Sequence, residues 1–358
     1  MSSKIVLSAT SEQPLLSDAP TKEPAGNSYG STLLDIRDLY VEYETARGPV
    51  RAVDGVSFSI APGEVFGLAG ESGSGKSTIA HAIMRLLHPP AVITGGNIFF
   101  NGQDVLEMNQ AQLEAFRWSG VSMVFQSAMN SLNPVMKISD QISDVLMRHD
   151  KKMSKRAARE RAAELLDVVG IDRLRLDSYP HELSGGMRQR AVIAIALALK
   201  PPLMIMDEPT TALDVVVQKE IMQQIDHLKD KMGFSILFIT HDLSLMVEFS
   251  TRIAIMYAGE IVELAPARML FDDPLHPYTQ GLMNSFPSLT GPRRKLTGIP
   301  GAPPDMVSPP SGCRFHPRCD RCQPMHTRVV PQLVEVKPDH WVACHLYAAD
   351  PDARWRPR

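Results

Sequence analysis

Residues 70 to 78 read Gly-Glu-Ser-Gly-Ser-Gly-Lys-Ser-Thr, which fits the phosphate-loop pattern G-x-x-x-x-G-K-[ST]. This feature constrains the fold most, because the motif works only between a buried strand and a helix. Both flanks are present. Glu64 to Gly70 is a short apolar strand pattern, and Ser77 to Leu87 spaces its apolar residues at helical intervals. Gly70, Gly73 and Gly75 let the backbone turn its N–H groups onto phosphate oxygens. The helix start adds partial positive charge. Lys76 has the reach for β- and γ-phosphates, and Ser77 offers a hydroxyl to Mg²⁺. Ser72, Ser74 and Thr78 complete the candidate nucleotide-binding set.

Further signals follow in a fixed order. Leu203 to Glu208 is an apolar strand ending in two carboxylates. Asp207 is expected in the Mg²⁺ shell, and Glu208 is the candidate general base for an attacking water. Upstream, Leu183-Ser-Gly-Gly-Met-Arg-Gln-Arg190 opens an apolar helix whose start can meet an anion. Downstream, the strand Ser235 to Thr240 delivers His241. A lone acidic pair or a lone His at a strand end is ordinarily structural. Four such elements in one order favour chemistry.

These motifs resemble the ATP-binding cassette (ABC) family. Ser184, Gly185, Gly186 and Met187 match its signature, with Met187 where Gln is commoner. Gln126, after the strand Val121 to Phe125, matches the Q-loop; the resemblance makes it catalytic and a Mg²⁺ ligand beside Ser77 and Asp207. Asp214 matches the D-loop, and His241 the switch histidine. Tyr43 lies where the family places an aromatic on the adenine face, although a strand Tyr is often simply packing. The resemblance spans about Leu33 to Ala265. It implies an α/β P-loop NTPase cassette with a mainly parallel core sheet, an antiparallel β-subdomain and an inserted helical subdomain. It also implies that two cassettes sandwich ATP head to tail, so that Ser184 and Gly186 act in trans.

Composition excludes several other classes. The chain has 358 residues and a formal net charge of −3, so no nucleic-acid-coating surface is indicated. A soluble ABC ATPase of DNA repair or translation, or one of iron–sulfur assembly, is the different-class alternative. No apolar run reaches the roughly 18–20 residues of a membrane helix. The start lacks the charged and apolar regions of a secretory signal. The expectation is a cytosolic subunit, peripheral to the cytoplasmic face of a membrane.

Residues 1–31 are rich in Ser, Pro, Thr and Ala and read as a disordered tail. Strands are expected at Leu33 to Glu44, Val50 to Ile60 and Asn97 to Phe100. A helical pattern from Asp140 to Gly170 lies in the expected inserted subdomain, about 127–183, and ends on a glycine suited to the C′ position. The cassette is expected over 32–272 and an irregular C-terminal extension over 273–358.

The extension sharpens the resemblance. His276-Pro-Tyr-Thr279 and Ile299 to Pro304, with Tyr179 to Gly186 and Ala128 to Pro134, resemble the ATPase subunits of oligopeptide and dipeptide permeases. Some members of that class carry oligosaccharides or nickel chelates. The class implies two membrane-spanning permease subunits, a second and different ATPase, and an extracytoplasmic solute-binding protein. No nucleic-acid partner is implied. The extension also holds all four cysteines, Cys313, Cys319, Cys322 and Cys344, spaced C-x₅-C-x₂-C-x₂₁-C. Clustered cytosolic cysteines suit metal ligation, with [4Fe–4S] and tetrahedral Zn²⁺ both open, and small buried side chains holding no metal as the third reading. The permease resemblance favours [4Fe–4S], although the middle spacing is shorter than that class shows. Pro300 to Pro310 is expected to form an extended surface strap.

Overall fold

The computed structural model describes residues 32–126, 131–210, 213–285 and 298–347. The expected N-terminal tail and the Ala128 to Asn130 part of the permease-like motif lie outside the described residues. The first elements are β1 (Leu34–Tyr43), β2 (Val50–Ile60), β3 (Val65–Ala69), α1 (Lys76–Ile83), β4 (Ala91–Phe100) and β5 (Gln103–Asp104). There follow α2 (Gln110–Ser119), β6 (Val121–Val124), α3 (Ile138–His149), α4 (Lys155–Val168), α5 (Gly185–Ala196) and β7 (Leu203–Asp207). Then come α6 (Val215–Met232), β8 (Ser235–Ile239), α7 (Leu243–Phe249), β9 (Arg252–Tyr257) and β10 (Glu260–Pro266). The last are α8 (Ala267–Asp272), α9 (Pro277–Asn284), β11 (Val334–Lys337) and β12 (His340–Val342).

Two sheets form. One is four-stranded, order β2-β1-β4-β5, and wholly antiparallel. The other is eight-stranded, order β11-β12-β10-β9-β3-β8-β7-β6. Its β9-β3-β8-β7-β6 run is parallel, and β10, β12 and β11 continue it antiparallel. The parallel strands are apolar throughout because both faces are covered. Alternation sorts their side chains. Leu203, Ile205, Leu237 and Ile239 join the core shared with the antiparallel sheet and α1. Met204, Met206, Ile236 and Phe238 join the core shared with α3 to α6. The large sheet is therefore the middle layer of three.

The single helical stretch expected from Asp140 resolves into α3 and α4. Ser154 caps α4 by accepting from Ala157 N, and Gly170 follows with φ +67°. Arg159 and Glu160 lie on the exposed side of α4, while Ala158, Ala162 and Leu166 are buried. Helix α2 was not expected. Its apolar face is short, with only Leu113 and Phe116 buried.

The extension is less irregular than its composition suggests. Its β12 pairs with β10, aligning Glu263 with Val342 and Leu264 with Trp341. Glu263 is fully buried and accepts from the N–H groups of Leu275 and His276 at 2.7 and 2.9 Å. His340 Nε2 lies 2.7 Å from the same carboxylate. Leaving such a buried carboxylate short of a hydrogen-bond partner costs roughly 1–3 kcal/mol or more. The Pro-rich stretch 298–312 forms no helix or strand and crosses the edge of β2, where Arg51 N donates to Met306 O.

His276 Nδ1 accepts from Tyr278 N at 3.0 Å, so the folded ring is neutral, and burial pushes its pKa from 6.5 down to about 4. The stability it contributes is full above pH 6.5 and is lost as pH falls through about 4. Thermal melts across this window should show falling stability in the wild type. A weaker dependence is expected in His276→Gln, which keeps an acceptor that does not titrate. Equal slopes in the two proteins would remove His276 as the cause.

Candidate functional site

The site stands at the C-terminal ends of parallel strands, where open α/β sheets place their ligands. The loop after β3 runs from Gly70 to Gly75 and enters α1 at Lys76. Gly70 has φ +148° and Gly75 φ +103°. A Cβ at Gly70 would lie 2.2 Å from Met256 O, and one at Gly75 would lie 2.1 Å from Ala52 O. Backbone from both sheets presses on this loop, and only glycine fits.

Lys76 is buried, and its Nζ donates to the carbonyls of Gly70 and Glu71, both at 2.9 Å, and lies 3.3 Å from Ser74 Oγ. Burial lowers its pKa, opposed by the charges of Glu208, Asp207 and Glu71. A phosphate arriving above the loop offers the ammonium a stronger partner than these carbonyls. Tyr43, at the end of β1, has its hydroxyl 3.3 Å from Thr78 Oγ1. That places the aromatic at the mouth of the loop. Ser72 and Gly73 are exposed on it, and Ser77 is exposed at the start of α1.

Asp207 ends β7 and is buried, which raises its pKa, while a hydrogen bond from the Ser77 side chain opposes the shift. Its Oδ1 has no hydrogen-bond partner among the described residues. An orphaned carboxylate oxygen beside a hydroxyl is the donor set a Mg²⁺ ion would complete. Glu208 follows with φ +48°, a costly conformation for a non-glycine residue. Its backbone N donates to Ile239 O at 2.8 Å, tying it to β8. Gln126 Nε2 donates to Glu208 Oε2 at 2.8 Å, and His241 Nδ1 lies 3.3 Å from Oε1. Residues from the ends of β6, β7 and β8 thus meet because those strands are neighbours in the sheet.

The signature residues are elsewhere. Ser184 is exposed and caps α5, its Oγ accepting from Met187 N at 3.3 Å. A Cβ on Gly186 would lie 2.9 Å from Val217 Cγ1, so Gly186 seats α5 against the first turn of α6. Asp214 caps that turn through Val216 N and Val217 N. Among the described residues no hydrogen bond or ion pair links 184–187 to 70–78.

The cysteines are free. Burial pushes the Cys313 thiol up to about 11, with Cys344 and Cys319 adding to the shift, and Cys319 and Cys344 are raised for the same first reason. Cys322 is exposed. Among the described residues no three His, Cys, Asp or Glu side chains converge as a metal-ligand set. The ready-made four-thiolate site expected at Cys313, Cys319, Cys322 and Cys344 is therefore not formed by these side chains as they stand.

Comparison with known proteins agrees with this geometry. A family profile described as "ABC transporter" matches residues 53–211, and one described as "Oligopeptide/dipeptide transporter, C-terminal region" matches residues 262–325. The oligopeptide transport ATP-binding protein OppD of Bacillus subtilis (strain 168) is 44% identical over 322 residues, covering 89% of this chain and 90% of that protein. This chain belongs to the ABC transporter family. OppD of Escherichia coli (strain K12) is 43% identical, covering 90% of this chain and 95% of that one. Among solved structures, a dimeric post-hydrolysis ATP-binding cassette bound to ADP and Pi superposes with a TM-score of 0.59 at 28% identity. It covers 66% of this chain and 99% of that one.

Sequence reasoning missed Glu71 as an anchoring point and missed its partners Tyr278 and Arg318. The Arg318–Glu71 contact spans 247 residues of sequence, so no local pattern signals it.

Replacing Glu208 with Gln keeps a side chain that Gln126 and His241 can still contact but removes the base. ATP binding should persist while hydrolysis falls about 10²–10⁴-fold. Phosphate release together with nucleotide binding reads both quantities. Unchanged turnover in Glu208→Gln would show that another group accepts the proton.

Proposed function

We propose that this chain is the ATP-hydrolysing subunit of a membrane importer of oligopeptides or dipeptides. The observation that carries the reading is the joining of Lys76, Asp207 and Glu208 around one phosphate loop in a chain that resembles OppD over most of its length.

Lys76 exchanges its loop carbonyls for the phosphates of ATP. Ser77 and Asp207 would hold Mg²⁺, with Gln126 as the further ligand, and the ion would supply neutralisation of the phosphate charge. Glu208 takes the proton of the attacking water, and His241 and Gln126 hold its carboxylate in place. Tyr43, whose hydroxyl meets Thr78, would take the adenine face. The exposed Ser184, with Gly185, Gly186 and Met187 beside it, would complete the site of a second cassette, and Asp214 would stand at that seam. The dimeric cassette among the solved structures supports this arrangement.

The second cassette is a different ATPase, and two permease subunits span the membrane. A solute-binding protein delivers cargo on the far side. No described helix is long and apolar enough to cross a membrane, and the subunit sits peripherally on the cytoplasmic face. A cleft of about 550 Å³ between α2 and α3, lined by Glu114, Arg117, Trp118, Arg148 and His149, suits a membrane-subunit segment. It adjoins the strand that leads to Gln126.

In the assembled transporter, Ser184→Arg should leave nucleotide binding to this chain intact. It should cut coupled turnover and peptide uptake about 10²-fold, since closure over the partner's ATP is blocked. Rapid hydrolysis by the isolated monomer, independent of concentration, would contradict the shared site.

The finer reading of the extension is that Cys313, Cys319, Cys322 and Cys344 bind a [4Fe–4S] cluster, with Zn²⁺ as the alternative. Its support is the clustering of every cysteine of the chain in this segment and the mutual influence of Cys313, Cys319 and Cys344. The exposed Cys322 would have to turn inward, which couples binding to local ordering. Metal analysis of anaerobically purified protein decides. Iron with acid-labile sulfide supports the cluster, one zinc per chain supports the alternative, and neither metal overturns both.

A further inference from the structure

The phosphate loop is held from behind by the C-terminal extension, and the hold falls on one residue. Glu71, second in the loop, is fixed at three points. Its backbone N donates to Tyr278 Oη at 2.9 Å. Its carboxylate accepts from Arg318 Nη1 and Nη2 at 2.8 and 3.0 Å, a two-pronged pairing. Its backbone carbonyl accepts from Lys76 Nζ at 2.9 Å. The first two partners belong to the extension, and the third is the lysine that must reach phosphate.

Both partners are themselves rigid. Tyr278 is fully buried, with its ring packed on Tyr257 and Phe315. Arg318 is buried, donates from Nε to Pro300 O at 2.8 Å, and lies over the Tyr257 ring. Phe315, three residues earlier, closes the same aromatic cluster. The neighbouring Arg314 is paired with Asp54 and Glu260, so this segment grips the cassette at a second place.

Electrostatics explains why a grip of this kind is needed. Glu71 puts a negative charge on a loop that must receive a polyanion, and its charge already acts on Lys76. Unpaired, it would repel phosphate across a poorly screened gap. Paired with Arg318, it becomes a neutral handle by which the loop is held open. We propose that Arg318 and Tyr278 are positioning residues for nucleotide binding, so that the extension sets the ATP affinity of the cassette. The inference rests on the ATP-binding reading above. The cassette profile ends at residue 211, and the profile over 262–325 spans both positions.

The test uses the full-length chain in its transporter, measuring ATP KM, kcat and binding of a fluorescent ATP analogue. Arg318→Ala should raise KM for ATP about tenfold, more than it lowers kcat, as expected for stranding a charged hydrogen-bonded partner. In a Glu71→Gln background the same substitution should raise KM less than about threefold, because no charge is left to strand. Tyr278→Phe should raise KM about fivefold with little change in melting temperature, since only the acceptor oxygen is lost. Arg318→Lys should fall between Ala and wild type. An unchanged KM in Arg318→Ala overturns the proposal. So does an equal loss whether Arg318→Ala is made in the wild type or on top of Glu71→Gln, which would mean that Arg318 only supports folding. Wild-type protein that binds no ATP would instead overturn the ATPase reading itself.

Discussion

Parallel pairing of β3 with β8, and of β7 with β8 and β6, sets the ends of four strands side by side, and the site is built on those ends and on the loop that leads from β3 into α1. The pairing holds because each of these strands is buried on both faces. The charges of Glu208 and Asp207 act there on the buried Lys76. The lysine leans on loop carbonyls, Asp207 keeps an oxygen unpartnered among the described residues, and Glu208 holds a strained backbone. Such a site is built to receive a polyanion and a cation together.

Besides the Arg314 grip on Asp54 and Glu260, the extension attaches to this centre by buried contacts of two kinds. Glu263 joins β10, the start of α9 and β12 through one carboxylate, which anchors the extension to the sheet edge. Arg318 and Tyr278 then carry that anchorage to the phosphate loop. The His-Pro-Tyr-Thr motif makes physical sense in these terms. His276 accepts from the backbone of Tyr278 and turns α9, Pro277 sits at its first position, and Tyr278 delivers its hydroxyl to Glu71.

Much of the cassette was legible in residue order. The phosphate loop, the acidic pair and the strands that carry them follow from glycine spacing and short apolar runs, and β1, β2, β3, β7 and β8 lie within a residue or two of expectation. Helix α2 escaped because its buried face holds only Leu113 and Phe116, too few to set a period. Strands β11 and β12 escaped because they are short and their apolar neighbours, such as Leu275 beside Val342, come from outside the two strands. The cysteine spacing suggested a formed metal site, yet spacing along a chain does not set side-chain direction, and Cys322 faces outward.

What the sequence by itself determined is chemistry that is local in the chain. A loop whose conformation only glycine permits, a lysine at the start of a helix and two carboxylates at a strand end are each encoded within a few residues. Tertiary structure alone decided which distant groups complete them. Gln126, Glu208 and His241 meet because β6, β7 and β8 are adjacent in the sheet although separated in the chain. Glu71 meets Arg318 across 247 residues of sequence, in an extension whose β12 pairs with β10. The physical reason is that backbone preference acts over a turn or a strand, whereas charge pairing and burial act through space and depend on the whole chain having packed.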